Sequence, residues 1–146
     1  MYHYTESGLS NIYLVNGFEI ENIDGEEYTS IDDMDGLHLA ISNAIVDNSK
    51  PLIGEEFKFL RIEMNLSQKV LGVKFGVNEQ TIARWEKGQC DLPRTSDAAL
   101  RSLYMDSINM DSNMGFFLDM LADSEAKDVA NEIRLEEIDK HWKIAA

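Results

Sequence analysis

The 146-residue sequence predicts a mainly α protein in three regions: a small acidic α+β region over residues 1–50, a compact five-helix domain over 51–105, and an acidic region over 106–146 with one helix and a terminal β-hairpin. Three observations predict this. Apolar residues recur at helical spacing from Asp32 onward, β-prone runs with turn dipeptides are confined to the two ends, and charge is unevenly divided. Residues 1–50 carry one base and ten acids (net −9), 51–105 eight bases and seven acids (+1), and 106–146 four bases and ten acids (−6). The net charge of −14 by itself argues against a polyanionic ligand, yet most cations lie in the middle region, so a phosphate-facing surface is expected there.

The first region opens with Ile12-Tyr13-Leu14-Val15 and the alternating run Phe18-Glu19-Ile20-Glu21-Asn22-Ile23. Asn16-Gly17 between them is a strong hairpin signal, because both central residues of the tight two-residue turn need positive φ. Asp24-Gly25 offers a second turn before Tyr28-Thr29-Ser30-Ile31, so a three-stranded meander is the simplest expectation. From Asp32 to about Val46, Met34, Leu37, Ile41, Ala44 and Ile45 fall on one helical face, with acids in the first turn where they suit the helix dipole. Asp32-Asp33-Met34-Asp35-Gly36 lacks the ligand spacing and late glutamate of a calcium loop and reads as a solvated helix start. Asp47-Asn48-Ser49-Lys50-Pro51 reads as a linker.

In the middle region, Phe57, Leu60 and Met64 mark one amphipathic helix, and Ala99, Leu100, Leu103 and Tyr104 mark another that starts at Thr95 or Ser96. Between them, counting from Gln68, apolar residues stand at places 4, 8, 10, 15 and 18 (Leu71, Phe75, Val77, Ile82, Trp85), a small residue at 5 (Gly72) and a glycine at 9 (Gly76). Two short helices that cross closely need a small residue at the contact, a glycine for the turn, and apolar side chains on a shared core. Ser67 and Asn78 stand where they can cap the two helices.

Leu66-Ser67-Gln68, Leu71-Gly72, Phe75-Gly76-Val77 and Thr81-Ile82-Ala83-Arg84-Trp85-Glu86-Lys87-Gly88 resemble the phage repressor and Cro type of helix-turn-helix, often called Xre-type. The resemblance covers roughly residues 52–105 and implies a repressor-like domain in a transcriptional regulator that binds double-stranded DNA. It implies that Gln68 contacts the operator backbone and edge bases, and that Glu79, Gln80 and Arg84 reach base edges in the major groove, with Asn78 and Thr81 nearer the phosphates. The side-chain chemistry agrees: Gln pairs bidentately with adenine, Arg with guanine, and Glu accepts from cytosine N4. Lys69, Lys74, Lys87 and Arg94 are candidate phosphate contacts, and Ser67 completes the set of expected DNA-binding residues. One short helix reads few base pairs, so a homodimer on two half-sites is expected, through the tail or the acidic lobe.

In the tail, Phe116, Phe117, Met120 and Leu121 follow a helical pattern capped at Asp111 or Ser112. Alternation in Glu132–Ile138 and Trp142–Ile144 around Asp139-Lys140 suggests a hairpin, with an amphipathic helix from Ser124 onward as the competing reading. The layout of an N-terminal lobe before this module also resembles antitoxins of the MqsA type, which hold zinc through cysteine pairs; here Cys90 is the single cysteine. That resemblance implies a second function, an antitoxin that binds a toxin and autoregulates its operon, for which the acidic lobe offers a surface to a basic protein partner.

No run approaches 18 consecutive apolar residues and the N-terminus lacks the basic-then-apolar order of a signal peptide, so no membrane partner and a cytoplasmic location are expected. His3, His38 and His141 are far apart, and no Gly-rich phosphate loop or Gly-x-Ser-x-Gly elbow occurs. Neither an enzyme nor a metal or other cofactor is expected.

Overall fold

Side-chain caps at Ser67 and Asn78 start two of the helices, and left-handed residues close several of the turns between elements. The computed structural model describes residues 1–110, 114–122 and 132–145. Among them are strands β1 (Tyr2–His3), β2 (Ile12–Leu14), β3 (Phe18–Ile23) and β4 (Glu26–Ile31), helices α1 (Met34–Asp47), α2 (Gly54–Glu63), α3 (Gln68–Phe75), α4 (Glu79–Glu86), α5 (Arg94–Ser107) and α6 (Met114–Leu121), and strands β5 (Ile133–Ile138) and β6 (His141–Ile144). The architecture is therefore mixed α/β, where a mainly α chain was expected. The predicted caps at Asp111 and Ser112 lie outside the described residues. The competing helix from Ser124 begins outside them, and its later part is β5 and β6.

The chain forms two compact units, residues 1–44 with 131–146, and residues 45–130. Helix α6 falls in the second unit, and β5 and β6 in the first. In the first unit, β1, β2, β5 and β6 make one sheet in that order. β2 pairs antiparallel with β1 and parallel with β5, Ile12 facing Ile133 and Leu14 facing Leu135. Tyr4, Leu9, Ile12, Leu14, Leu37, Ile41, Ile133, Leu135 and Trp142 are buried there.

The expected meander does not form, since β3 pairs only with β4 among the described strands. The reason lies at Asn16-Gly17. Gly17 takes φ +77°, but Asn16 is not in the left-handed region, so the two-residue hairpin geometry is unmet. Asn16 instead uses its side chain as an extra rung on β5, its Nδ2 donating to Glu137 O at 3.2 Å and its Oδ1 accepting from Glu137 N at 2.6 Å. Gly17 lies under the Trp142 ring, where an added Cβ would stand 2.5 Å from a ring carbon. Hairpin geometry is met where both central residues have positive φ: at Asp24 (54°) and Gly25 (86°) between β3 and β4, and at Asp139 (52°) and Lys140 (65°) between β5 and β6, the latter the predicted terminal hairpin. At the start of α1, the Asp33 carboxylate accepts from the Gly36 N–H at 3.1 Å, as suits a helix start.

The second unit holds four helices within 51–107, and a fifth, α6, follows. Ile45, Val46, Leu52, Phe57, Phe59, Leu60, Leu71, Ile82, Trp85, Ala98, Leu100, Tyr104, Phe117 and Leu121 form its buried apolar set among the described residues. The predicted inward face of α5 is corrected: Ala99 and Leu103 are half-buried, whereas Asp97 and Arg101 are buried. Arg101 donates to Asp97 at 2.6 Å, Val46 O at 2.9 Å, Asn48 O and Lys50 O at 2.8 Å, and Asp97 accepts from the Leu52 N–H at 2.8 Å. The stretch that reads as a linker is thus fastened to α5 by one guanidinium. Carbonyls that would otherwise go unpaired beside a buried helix gain a charged donor there.

Candidate nucleic-acid interface

α3 and α4 begin at side-chain caps. Ser67 Oγ accepts from the Val70 N–H at 3.0 Å, and Asn78 Oδ1 accepts from the Thr81 N–H at 2.8 Å and the Thr81 hydroxyl at 3.0 Å. The turn between the helices needs two glycines for different reasons. Gly76 ends α3 at φ +71°, a conformation costly for a residue with a Cβ. Gly72 is held by space, since a Cβ there would lie 2.7 Å from Val77 O at the approach to α4.

Ile82 and Trp85 face inward at 0% and 6% exposure. The Trp85 ring meets Phe57 edge-on, with centroids 5.9 Å apart, and Phe57 meets Phe75 in the same way at 6.5 Å. At 100° per residue, Gln80, Arg84 and Lys87 then fall together on the side of α4 opposite Ile82 and Trp85. All three are exposed, as are Glu79, Asn78, Ser67 and Lys69, whereas Thr81 and Gln68 are half-buried. Among the described residues, Glu79, Gln80, Arg84, Lys69 and Lys87 have no side-chain hydrogen bond or ion pair.

The caps limit what their residues can offer a ligand. With Oδ1 committed, Asn78 presents its Nδ2 donor, and Ser67 presents its hydroxyl hydrogen. Donors suit phosphate oxygens, which only accept. Gln68 is similarly committed, because its Nε2 donates to Glu86 Oε1 at 2.9 Å. A carboxylate only accepts, so the amide must turn its nitrogen to Glu86, leaving one N–H and Oε1.

Arg61 is absent from the expected site, and Glu86 enters the sequence pattern without a role. Arg61 on α2 donates to Glu86 Oε2 at 2.6 Å, Glu86 Oε1 at 3.0 Å and Leu66 O at 2.9 Å. Their side chains are 10% and 3% exposed. The signal was present: Arg61 sits four places after Phe57, on the buried face of an amphipathic helix, and a cation there requires a nearby acceptor.

Residues 57–91 match the helix-turn-helix family. The match runs from within α2 through α4 and covers every element just described, which supports a DNA-binding regulator. No curated protein and no solved structure matches the chain. No helix among the described residues is long and apolar enough to cross a membrane.

Proposed function

We propose that the protein is a sequence-specific regulator that binds double-stranded DNA, a repressor acting as a homodimer in the cytoplasm, with α4 in the major groove. The observation that carries this is the alignment of Gln80, Arg84 and Lys87 on the open side of a helix whose other side is locked by Ile82 and Trp85. Gln80 and Arg84 are suited to base edges and Lys87 to phosphate, with Glu79 accepting from a base amino group. Ser67, Gln68, Lys69, Asn78 and Thr81 supply the positioning contacts. Two copies on half-sites about 34 Å apart multiply the discrimination of one short helix. The reading is of a binding protein without catalysis, cofactor or metal.

Selection of bound duplexes from a random pool tests it directly. A two-fold symmetric consensus and a complex with the mass of two chains are expected; binding without preference, or one chain per site, defeats the corresponding part.

A second reading, an antitoxin that holds a basic toxin and represses its own operon, is favoured by the β3–β4 hairpin. Glu19 to Ser30 are all exposed there, with Glu19, Glu21, Asp24, Glu26 and Glu27 and no base. Such a surface attracts a cationic protein and repels duplex. A small basic coding sequence beside this one favours it; phage integration or lysis functions there favour the plain regulator.

A further inference from the structure

Glu86 carries more donors than its ion pair needs. Arg61 forks onto both of its oxygens, and that already neutralises the buried charge. The third donor, Gln68 Nε2, comes from the first residue of α3, half-buried and flanked by exposed Ser67 and Lys69. Arg61 also holds the carbonyl of Leu66, just before the Ser67 cap. The N-terminus of α3 is therefore tied twice to the last residue of α4, by backbone through Arg61 and by side chain through Glu86.

We infer that Glu86 is a positioning residue for DNA binding: by holding Gln68 in one rotamer, it presents the second Gln68 amide N–H to a phosphate in fixed register with the base-reading side of α4. An untethered glutamine pays rotamer entropy when it is ordered on a ligand, and a tether formed in the free protein removes that cost. It also fixes the polarity of the amide, since a carboxylate neighbour forces nitrogen toward itself and so determines which atoms remain for the duplex. The phosphate clamp at α3 and the reading helix then dock as one body. This inference rests on the DNA-binding reading above.

The test uses the full chain and the duplex recovered by selection. Glu86→Asp keeps the charge for Arg61 but withdraws the carboxylate from Gln68 by one methylene. Gln68→Ala is expected to weaken the parent protein about tenfold, as for a hydrogen bond to a charged acceptor. In the Glu86→Asp background the same change is expected to cost less than about twofold. Arg84→Ala is the control and is expected to cost the same in both backgrounds. In the DNA-free protein, the Gln68 side-chain amide signals should shift toward the positions of a mobile glutamine in Glu86→Asp. Gln68→Ala and Glu86→Asp losses that simply add, with an unmoved amide signal, overturn the positioning role while leaving DNA binding intact. Failure of the parent protein to bind any duplex overturns both. If Glu86→Asp does not fold, Gln68→Asn in the parent chain, which keeps an amide but is one methylene too short for the bond to Glu86, is expected to lose as much affinity as Gln68→Met; Gln68→Asn binding as tightly as the parent likewise overturns the role.

Discussion

Arg84 and Gln80 differ from Lys69 and Lys87 in what their side chains can distinguish. A guanidinium or amide matches the edge of one base pair, whereas an ammonium meets any phosphate. Gln80→Ala or Arg84→Ala is expected to relax preference at one or two base pairs, costing about 1–3 kcal/mol on the selected site. Lys69→Ala or Lys87→Ala is expected to weaken all duplexes alike and to flatten the salt dependence by about one unit. Binding isotherms on consensus and scrambled duplexes at several salt concentrations decide it; equal losses on every sequence from all four would mean that α4 is not the reading helix. A second residue-scale expectation concerns Arg101, fully buried and bonded to three carbonyls and Asp97. Arg101→Met strands the Asp97 carboxylate, and a cost of about 3–5 kcal/mol in denaturant unfolding is expected. A cost below about 1 kcal/mol would show that the segment from Val46 to Leu52 is held by other means.

At the scale of elements, a local turn signal competed with long-range pairing and lost. Asn16-Gly17 is as good a hairpin dipeptide as sequence offers, yet Ile12 and Leu14 bury completely by pairing β2 with β5, over a hundred residues away. The turn at Asp24-Gly25 had no such competitor, and there the local rule holds. Gly17→Ala therefore carries two penalties, a positive φ and an overlap with Trp142. The backbone penalty alone is about 1–2 kcal/mol, so a destabilisation of at least that size is expected, measured by denaturation followed through tryptophan emission; an unchanged midpoint would place the glycine's importance elsewhere. The helix-turn-helix was legible for the opposite reason. Its caps, its close approach at Gly72 and its left-handed Gly76 all lie within twenty residues, so the constraints that define it are local.

For the whole molecule, the net charge of −14 and the cations of α3 and α4 act at different ranges. Specific contacts operate at hydrogen-bond distance. The acidic hairpin repels duplex over a Debye length, about 30 Å at 0.01 M salt and about 3 Å at 1 M. Replacing Glu19, Glu21, Glu26 and Glu27 with Gln should raise affinity for random duplex several-fold near 0.01 M salt and leave it unchanged near 1 M. Fluorescence anisotropy with a scrambled duplex reads this; no change at low salt would mean that the hairpin acids do not act on DNA at all, and the surface would then be explained by a protein partner or by solubility.

By itself, the sequence determined the elements whose causes are near neighbours along the chain: the caps at Ser67 and Asn78, the inward Ile82 and Trp85, the outward Gln80 and Arg84, and the terminal hairpin at Asp139-Lys140. Only the tertiary structure decided which strand β2 would join, that Arg101 fastens the stretch after α1, and that Arg61 and Gln68 converge on Glu86. The reason is physical. A cap or turn is satisfied by atoms two to four residues away, whereas a buried charge or an open strand edge must find its partner anywhere in the chain, and nothing in residue order says where that partner will be.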